Sequence, residues 1–80
     1  MNNWFDITKW LDACGWTGDA RDQARKVFHA GWDWAENDDN GTATMSEEEA
    51  YAAGEGYYHN GFDQGRDAYQ SGEYSGGVAN

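Results

Sequence analysis

The chain lacks proline altogether and has a single cysteine, Cys14. One cysteine cannot form a disulfide within the chain, and its presence alone is typical of a reducing compartment. No apolar run approaches the length of a transmembrane helix, and the first residues lack the basic start of a signal peptide. We therefore expect a cytoplasmic protein with no membrane association.

Aliphatic residues are also scarce, with one Leu, one Ile and two Val in 80 residues. Such a composition at high net charge is typical of chains that do not fold alone. Five Trp, five Tyr and three Phe point the other way, because aromatic side chains carry large apolar areas and are rare in disordered segments. The composition predicts a folded domain with an aromatic core, which a homodimer or another bound partner could complete.

Basic residues are outnumbered by acidic ones, 5 to 15, which gives a formal net charge of −10. This charge repels nucleic acids and anionic membranes, so direct binding to either is not expected. No basic residue occurs between Lys26 and Arg66, and the carboxylates in that stretch are therefore unopposed within the sequence. There are nine of them: Asp33, Glu36, Asp38, Asp39, Glu47, Glu48, Glu49, Glu55 and Asp63.

Apolar spacing predicts an all-α fold of three helices, or four if the last one breaks. The expected domain covers residues 1–70, and the Gly- and Ser-rich residues 71–80 are expected to form a flexible tail. The first helix is expected from Trp4 to Cys14 with Asn3 as N-cap, and the second from Gly18 to Ala35 with Thr17 as N-cap. In the first helix, Trp4, Ile7, Leu11 and Cys14 form one apolar stripe.

The third helix is expected to begin at Ser46, where Ser46-Glu47-Glu48-Glu49 matches a capping box, although Thr44 offers the same pattern two residues earlier. Four glycines, at positions 54, 61, 65 and 72, follow helical spacing and predict a flat ridge for close helix packing. A break at Asn60-Gly61 is the alternative to one continuous helix.

The unopposed carboxylates predict a surface that binds a basic protein. Carboxylates three or four residues apart on a helix lie about 5–6 Å from one another, a separation similar to that of phosphates along a nucleic-acid strand. Such a surface could occupy a groove lined with Lys and Arg. In size and charge the chain resembles the small acidic DNA mimics with which phages inhibit restriction and CRISPR systems. The resemblance implies an inhibitor that blocks a nucleic-acid-handling protein, with all nine carboxylates as candidate partner-binding residues.

Aromatic residues extend this hypothesis. Trp and Tyr are frequent anchors in protein interfaces. Trp32 and Trp34 lie two positions apart, so one helix cannot bury both on the same face. We expect one of them to lie at the surface beside Asp33 and to take part in partner binding.

A second resemblance covers residues 36–47, which are similar to the twelve-residue calcium loop of EF-hand proteins. The resemblance implies calcium ligands at Glu36, Asp38, Asn40, Thr42, Thr44 and Glu47, with Gly41 at the sharp turn. Glu36 stands where the family has Asp, and the chain contains no second loop. Turn formation and helix capping explain the same residues without a metal.

Catalytic patterns do not emerge from the remaining residues. Cys14, His29 and His59 lack the spacing of a zinc site, and the glycines do not form a phosphate-binding loop. The sequence thus predicts a binding protein rather than an enzyme, with no cofactor unless calcium binds. A small dimeric adaptor, whose charge serves solubility, is the third hypothesis.

Overall fold

The computed structural model describes residues 3–79 and all of their side chains except that of Tyr58. Helix dominates, which confirms the predicted helical class, and two three-residue strands accompany the helices. In chain order the elements are β1 (Trp4–Asp6), α1 (Ile7–Cys14), α2 (Gly18–Asp39), α3 (Glu47–Ala53), the single turn α4 (Gly56–His59), α5 (Gly61–Gln70) and β2 (Gly77–Ala79).

The long helix α2 lies at the centre of the fold, with a group of buried apolar side chains on each of two sides. On one side, Phe28 and Trp32 pack with residues of α1 and α5 and with a ring of half-buried aromatics. On the other side, Val27 packs with Ala50 of α3 and Phe62 of α5. The aromatic core expected from composition is thus present, and most of it is organised around one helix.

Close packing of α5 against α2 depends on glycine. A Cβ atom on Gly31 would lie 2.0 Å from the carbonyl oxygen of Phe62, and a Cβ atom on Gly65 would lie 2.0 Å from that of Phe28. The predicted glycine ridge is therefore confirmed at Gly65, and also at Gly61, which lies against α2. It is wrong at Gly72, which follows the end of α5 and has a positive φ of 72° with nothing within 4 Å of its Cβ position. The two backbones approach so closely that no larger residue fits at the contact.

The two helices run parallel. Gly61 lies beside Ala24, and further along the chain the ring of Tyr69 contacts that of Trp32. Both C-terminal ends therefore lie at the same end of the molecule. This arrangement needs the chain to return from the end of α2 to the start of α5, and the short helices α3 and α4 provide that return.

The region predicted as a third helix breaks twice. Asn60 has a left-handed backbone conformation with φ of 57°, and this confirms the predicted alternative of a break before Gly61. Glu55 also has positive φ, 56°, and the break there was not predicted because Glu has no preference for this conformation. The start of α3 follows the capping prediction, since Ser46 Oγ accepts a hydrogen bond of 3.2 Å from the backbone N–H of Glu49.

The first predicted helix begins later than expected. Residues 4–6 are extended and pair in parallel with Gly77–Ala79, and the Asp6 carboxylate, instead of Asn3, caps α1 through the backbone N–H of Lys9. The predicted apolar stripe is wrong at its two ends. Ile7 and Leu11 are fully buried, but Trp4 is 55% exposed and Cys14 is exposed.

Two other boundaries differ from the predictions. Helix α2 continues four residues beyond Ala35 to Asp39, because residues 36–39 contain neither Gly nor Pro to end it. In the segment predicted as a flexible tail, Gly77–Ala79 form the second strand, and Gly76 donates a backbone hydrogen bond of 2.9 Å to Asn3. These strands were missed because three residues are too few to show a period of two.

Candidate functional site

The nine candidate carboxylates do not form one continuous surface. Asp33, Glu36, Asp38 and Asp39 belong to the last two turns of α2, which we call the α2 end. Glu47 and Asp63 lie together beside Arg66. Glu55 is separate from both, since its carboxylate accepts a hydrogen bond of 2.7 Å from Gln23, in the first half of α2. Glu48 and Glu49 are exposed in the first turn of α3.

Arg66 pairs with the carboxylates of one of these groups. Its guanidinium forms ion pairs with Glu47 of α3, with Asp63 at 3.3 Å and with Asp67 at 3.1 Å. We call these four residues the Arg66 cluster. Partial burial alone would lower the pKa of Arg66, but hydrogen bonds and charge attraction from Glu47 and Asp67 outweigh it and raise the pKa above its ordinary value. Two of the nine carboxylates that are unopposed in sequence are therefore opposed in the fold.

The α2 end has no such cation. Asp33, Glu36 and Asp38 are exposed and form no ion pair with any residue that the structure describes. Asp39 accepts a hydrogen bond of 2.9 Å from the hydroxyl of Tyr69 on α5. The negative charge at this end is thus left for solvent or for a partner.

The hydrogen bond to Asp39 also affects Tyr69. It raises the pKa of the phenol above its ordinary value, and desolvation and the negative charges of Asp39 and Glu36 act in the same direction. A neutral phenol can donate to a carboxylate, whereas a phenolate would be repelled by both carboxylates. Tyr69 consequently stays a hydrogen-bond donor over a wider pH range than a free tyrosine does.

A groove of about 680 Å³ opens beside these residues, between the α2 end, the end of α5 and residues 72–77. We call it the aromatic groove. Small and amide-bearing residues form part of its lining. The rest consists of three aromatic side chains and three carboxylates: Trp32, Tyr69, Tyr74, Glu36, Asp38 and Asp39. Trp32 and Tyr69 meet edge to face with ring centroids 5.3 Å apart. Rigid apolar walls and negative charge are therefore combined in one concave site.

Backbone electrostatics add to the charge of this site. The C-terminal ends of parallel helices α2 and α5 lie together, and neither helix has a basic residue in its last turn. The last turn of a helix carries partial negative charge, because the peptide dipoles of the helix are aligned along its axis. Two such ends beside three carboxylates favour a cation and disfavour an anion in the groove.

The two tryptophans proposed as anchors have different environments. Trp32 is 7% exposed and belongs to the core. Trp34 is half-buried against the second core group and donates from Nε1 to the carbonyl of Met45 at 3.1 Å, which holds the loop before α3 against α2. The most exposed large apolar side chains described are instead Trp4, Met45 and Tyr57.

The residues of the calcium-type loop adopt a mixed conformation. Glu36 and Asp38 lie within α2, Asn40 follows as the C-cap, and the Thr42 hydroxyl donates to the carbonyl of Asn37 at 3.3 Å. Within residues 3–79 no three His, Cys, Asp or Glu side chains gather in a group that could hold a metal ion. Calcium binding stays a prediction of the sequence resemblance.

Sequence reasoning missed the role of three residues. Arg66 lies three positions after Asp63 and one before Asp67, so part of its ion pairing could have been read from helical spacing. Its pair with Glu47 depends on the return of α3 against α5 and has no local signal. Tyr69 reaches the α2 end through the parallel packing of α5 on α2, and Tyr74 lines the groove from the segment after α5; neither position has a local signal in the sequence.

None of the described helices combines the length and apolar character needed to cross a membrane. Comparison with protein-family models, with curated proteins and with solved structures finds no match to this chain.

Proposed function

We propose that this protein binds a basic groove of a nucleic-acid-handling protein and inhibits that protein by occupying the place of the nucleic acid. The observation that carries the proposal is the uncompensated charge of the α2 end. Three carboxylates there, Asp33, Glu36 and Asp38, are exposed and unpaired within the described chain. A net charge of −10 on 80 residues also favours attraction to a basic protein.

The geometry of the α2 end suits this role. Asp33 and Glu36 are separated by three positions on a continuous helix, so they are neighbours on its surface with Cβ atoms about 5–6 Å apart. A helix holds them at this spacing without the conformational freedom of a loop, which lowers the entropy lost on binding. The result is a short rigid row of negative charges that Lys and Arg side chains can contact as they contact phosphates.

Inhibition on this account is competition. The protein and the nucleic acid would be attracted to the target by the same Lys and Arg residues, and only one of them could occupy the groove. Charge attraction accelerates the encounter as well as stabilising the complex, so association would be fast at low ionic strength. No catalytic step is involved.

The test is a displacement assay with a fluorescent DNA duplex. The duplex is first bound to each of a panel of restriction endonucleases and RNA-guided nucleases, and the acidic protein is then added at increasing concentration. We expect displacement from at least one nuclease. The concentration needed should rise steeply between about 50 and 200 mM salt, as expected for charge-driven binding.

A neutral protein of similar size controls for crowding in this assay. Failure to displace the duplex from any nuclease, even at low salt, would contradict the proposal. So would displacement that does not change with salt, because a charge mimic must lose affinity as its charges are screened.

A further inference from the structure

We propose that the aromatic groove receives an arginine side chain of the basic partner. The inference rests on the proposed function and adds to it a specific anchor point. Its basis is the groove itself, which is concave, aromatic and free of positive charge. The exposed carboxylates of the α2 end alone would give attraction without a defined place of contact.

The walls of the groove have the surfaces that a guanidinium recognises. Trp32, Tyr69 and Tyr74 line it. Trp32 is 7% exposed, so the half-buried rings of Tyr69 and Tyr74 are the ones that a cation can approach, attracted by the negative face of the ring. Arginine is planar and weakly hydrated, so it stacks on such rings more readily than a compact ammonium does. The Tyr69 ring is held in place at both ends, by its contact with Trp32 and by its hydroxyl bond to Asp39.

The negative charge of the groove favours a cationic side chain over an anionic or an apolar one. Glu36, Asp38 and Asp39 line the groove, and none of its lining residues is Lys, Arg or His. A phosphate or a carboxylate would be repelled by these groups and by the two helix ends. An apolar side chain would remove carboxylates from water without compensating them, which is costly. A guanidinium can satisfy both the rings and the carboxylates, the latter through paired N–H donors.

Size is consistent with a side chain and its adjoining backbone. The groove volume of about 680 Å³ falls within the range of sites that enclose small ligands. Glu36 and Asp39 lie one turn apart on α2, so their carboxylates can approach one guanidinium from the same side. The Arg66 cluster cannot serve in this way, because its carboxylates already surround an arginine of the chain itself.

The experiment uses N-acetyl-L-arginine N-methylamide as the probe, titrated into the full chain and followed by NMR at the indole N–H of Trp32. The matched ligand control is the citrulline analogue, which keeps the shape of the side chain and loses its charge. We expect saturable shifts with the arginine probe and none with citrulline at equal concentration.

Two double variants locate the site. Glu36→Gln with Asp39→Asn removes two charges from the groove and retains an acceptor for the Tyr69 hydroxyl. Asp33→Asn with Glu48→Gln removes the same charge from positions outside it. The groove variant should weaken probe binding at least about tenfold, equivalent to about 1.4 kcal/mol, and the outer variant less than about twofold. Backbone NMR spectra verify that both variants are folded.

Equal weakening in the two variants, or equal binding of citrulline, would overturn the groove assignment. These failures are separable from failure of the proposed function. A protein that displaces duplex from a nuclease but shows no groove preference contradicts the inference alone. A protein that binds the arginine probe in the groove but displaces no duplex supports the inference and contradicts the function.

Discussion

The α2 end and the Arg66 cluster contain similar numbers of carboxylates but differ in what surrounds them. In the Arg66 cluster, one guanidinium holds Glu47, Asp63 and Asp67 and joins α3 to α5. At the α2 end, Asp33, Glu36 and Asp38 have no cation among the residues described. The acidic residues of the Arg66 cluster therefore contribute to the stability of the fold. Those of the α2 end repel one another and lower that stability.

This difference separates acidic composition from available charge. A count of carboxylates along the chain treats Glu47 and Glu36 alike, yet the tertiary structure commits one to an ion pair and leaves the other exposed. The exposed carboxylates of the α2 end do not stabilise the isolated protein through ion pairs. We expect them to form such pairs with a basic partner.

The largest change in unfolding free energy is expected at the close contact between α2 and α5. The α2 end lies on one of these helices, and Arg66 lies on the other. Gly65→Ala would place a Cβ atom 2.0 Å from the Phe28 carbonyl oxygen, so the helices must separate, at a cost of about 3 kcal/mol or more in unfolding free energy. Urea denaturation measures the loss. Gly41→Ala is the control, since its Cβ meets nothing within 4 Å and it bears only the strain of a φ of 74°. That strain costs about 1–2 kcal/mol.

If Gly65→Ala is no more destabilising than Gly41→Ala, the tight parallel packing is contradicted, and with it the meeting of the two helix ends at the groove.

A smaller effect is expected from Arg66→Gln, which leaves Glu47, Asp63 and Asp67 without their cation. We expect a loss of about 1 kcal/mol in unfolding free energy, because the pairs are partly exposed to solvent. The loss should shrink at high salt as the charges are screened. At the same time, affinity for a basic target should increase, since a second acidic region becomes available.

Arg25→Gln is the matched variant for this prediction, because Arg25 has a single carboxylate partner among the described residues, Asp22, at 3.8 Å. Urea denaturation at low and high salt compares the two. A loss for Arg25→Gln as large as that for Arg66→Gln would show that the Arg66 cluster has no special role in the fold.

A third prediction concerns pH and the hydrogen bond from Tyr69 to Asp39. The pKa of Tyr69 is raised above the ordinary value of 10.0, so the unfolded chain ionises first as pH rises. The stability due to this bond is therefore fully present below pH 10 and is lost as the pH passes through the folded pKa. NMR of ¹³C-labelled tyrosine should show Tyr69 ionising at higher pH than free tyrosine does.

Asp39→Asn should bring the Tyr69 titration closer to that of free tyrosine, since it removes the charge but keeps an acceptor. An unchanged Tyr69 titration in this variant would mean that Asp39 does not determine the environment of the groove.

The smallest effect is expected from calcium. Glu36 and Asp38 lie on a helix, and a helix does not fold around an ion as a twelve-residue loop does. We expect millimolar Ca²⁺ to raise the melting temperature no more than Mg²⁺ does, by general screening of negative charge. A selective rise with Ca²⁺ that Glu47→Gln abolishes would instead support the calcium loop and would assign the α2 end to a metal.

Several features of the fold could be predicted because their causes are local. Ser46 caps α3 through a hydrogen bond within its own turn, and Asn60 breaks the chain because Asn tolerates a left-handed conformation. The glycine ridge was visible as helical spacing, and its purpose in close packing is confirmed at Gly65.

Other features depend on residues far apart in sequence. The parallel strands join Phe5 to Val78, and no local pattern in three residues announces such a pair. The Arg66 cluster and the aromatic groove likewise arise when separate elements meet, as Arg66 meets Glu47 and Tyr69 meets Asp39. The acidic character of the site was therefore predictable, but its division into a part paired with Arg66 and an unpaired part was not.

The central claim is that the available charge is at the α2 end, and one comparison tests it most directly. Two triple variants each remove three carboxylates: Asp33→Asn, Glu36→Gln and Asp38→Asn at the α2 end, and Asp19→Asn, Asp22→Asn and Glu48→Gln outside it. Both are measured for displacement of duplex from the same nuclease at one salt concentration. The first should lose affinity by about tenfold or more, about 1.4 kcal/mol, and the second by much less. Equal losses would contradict the account, because binding would then follow total charge and not the α2 end.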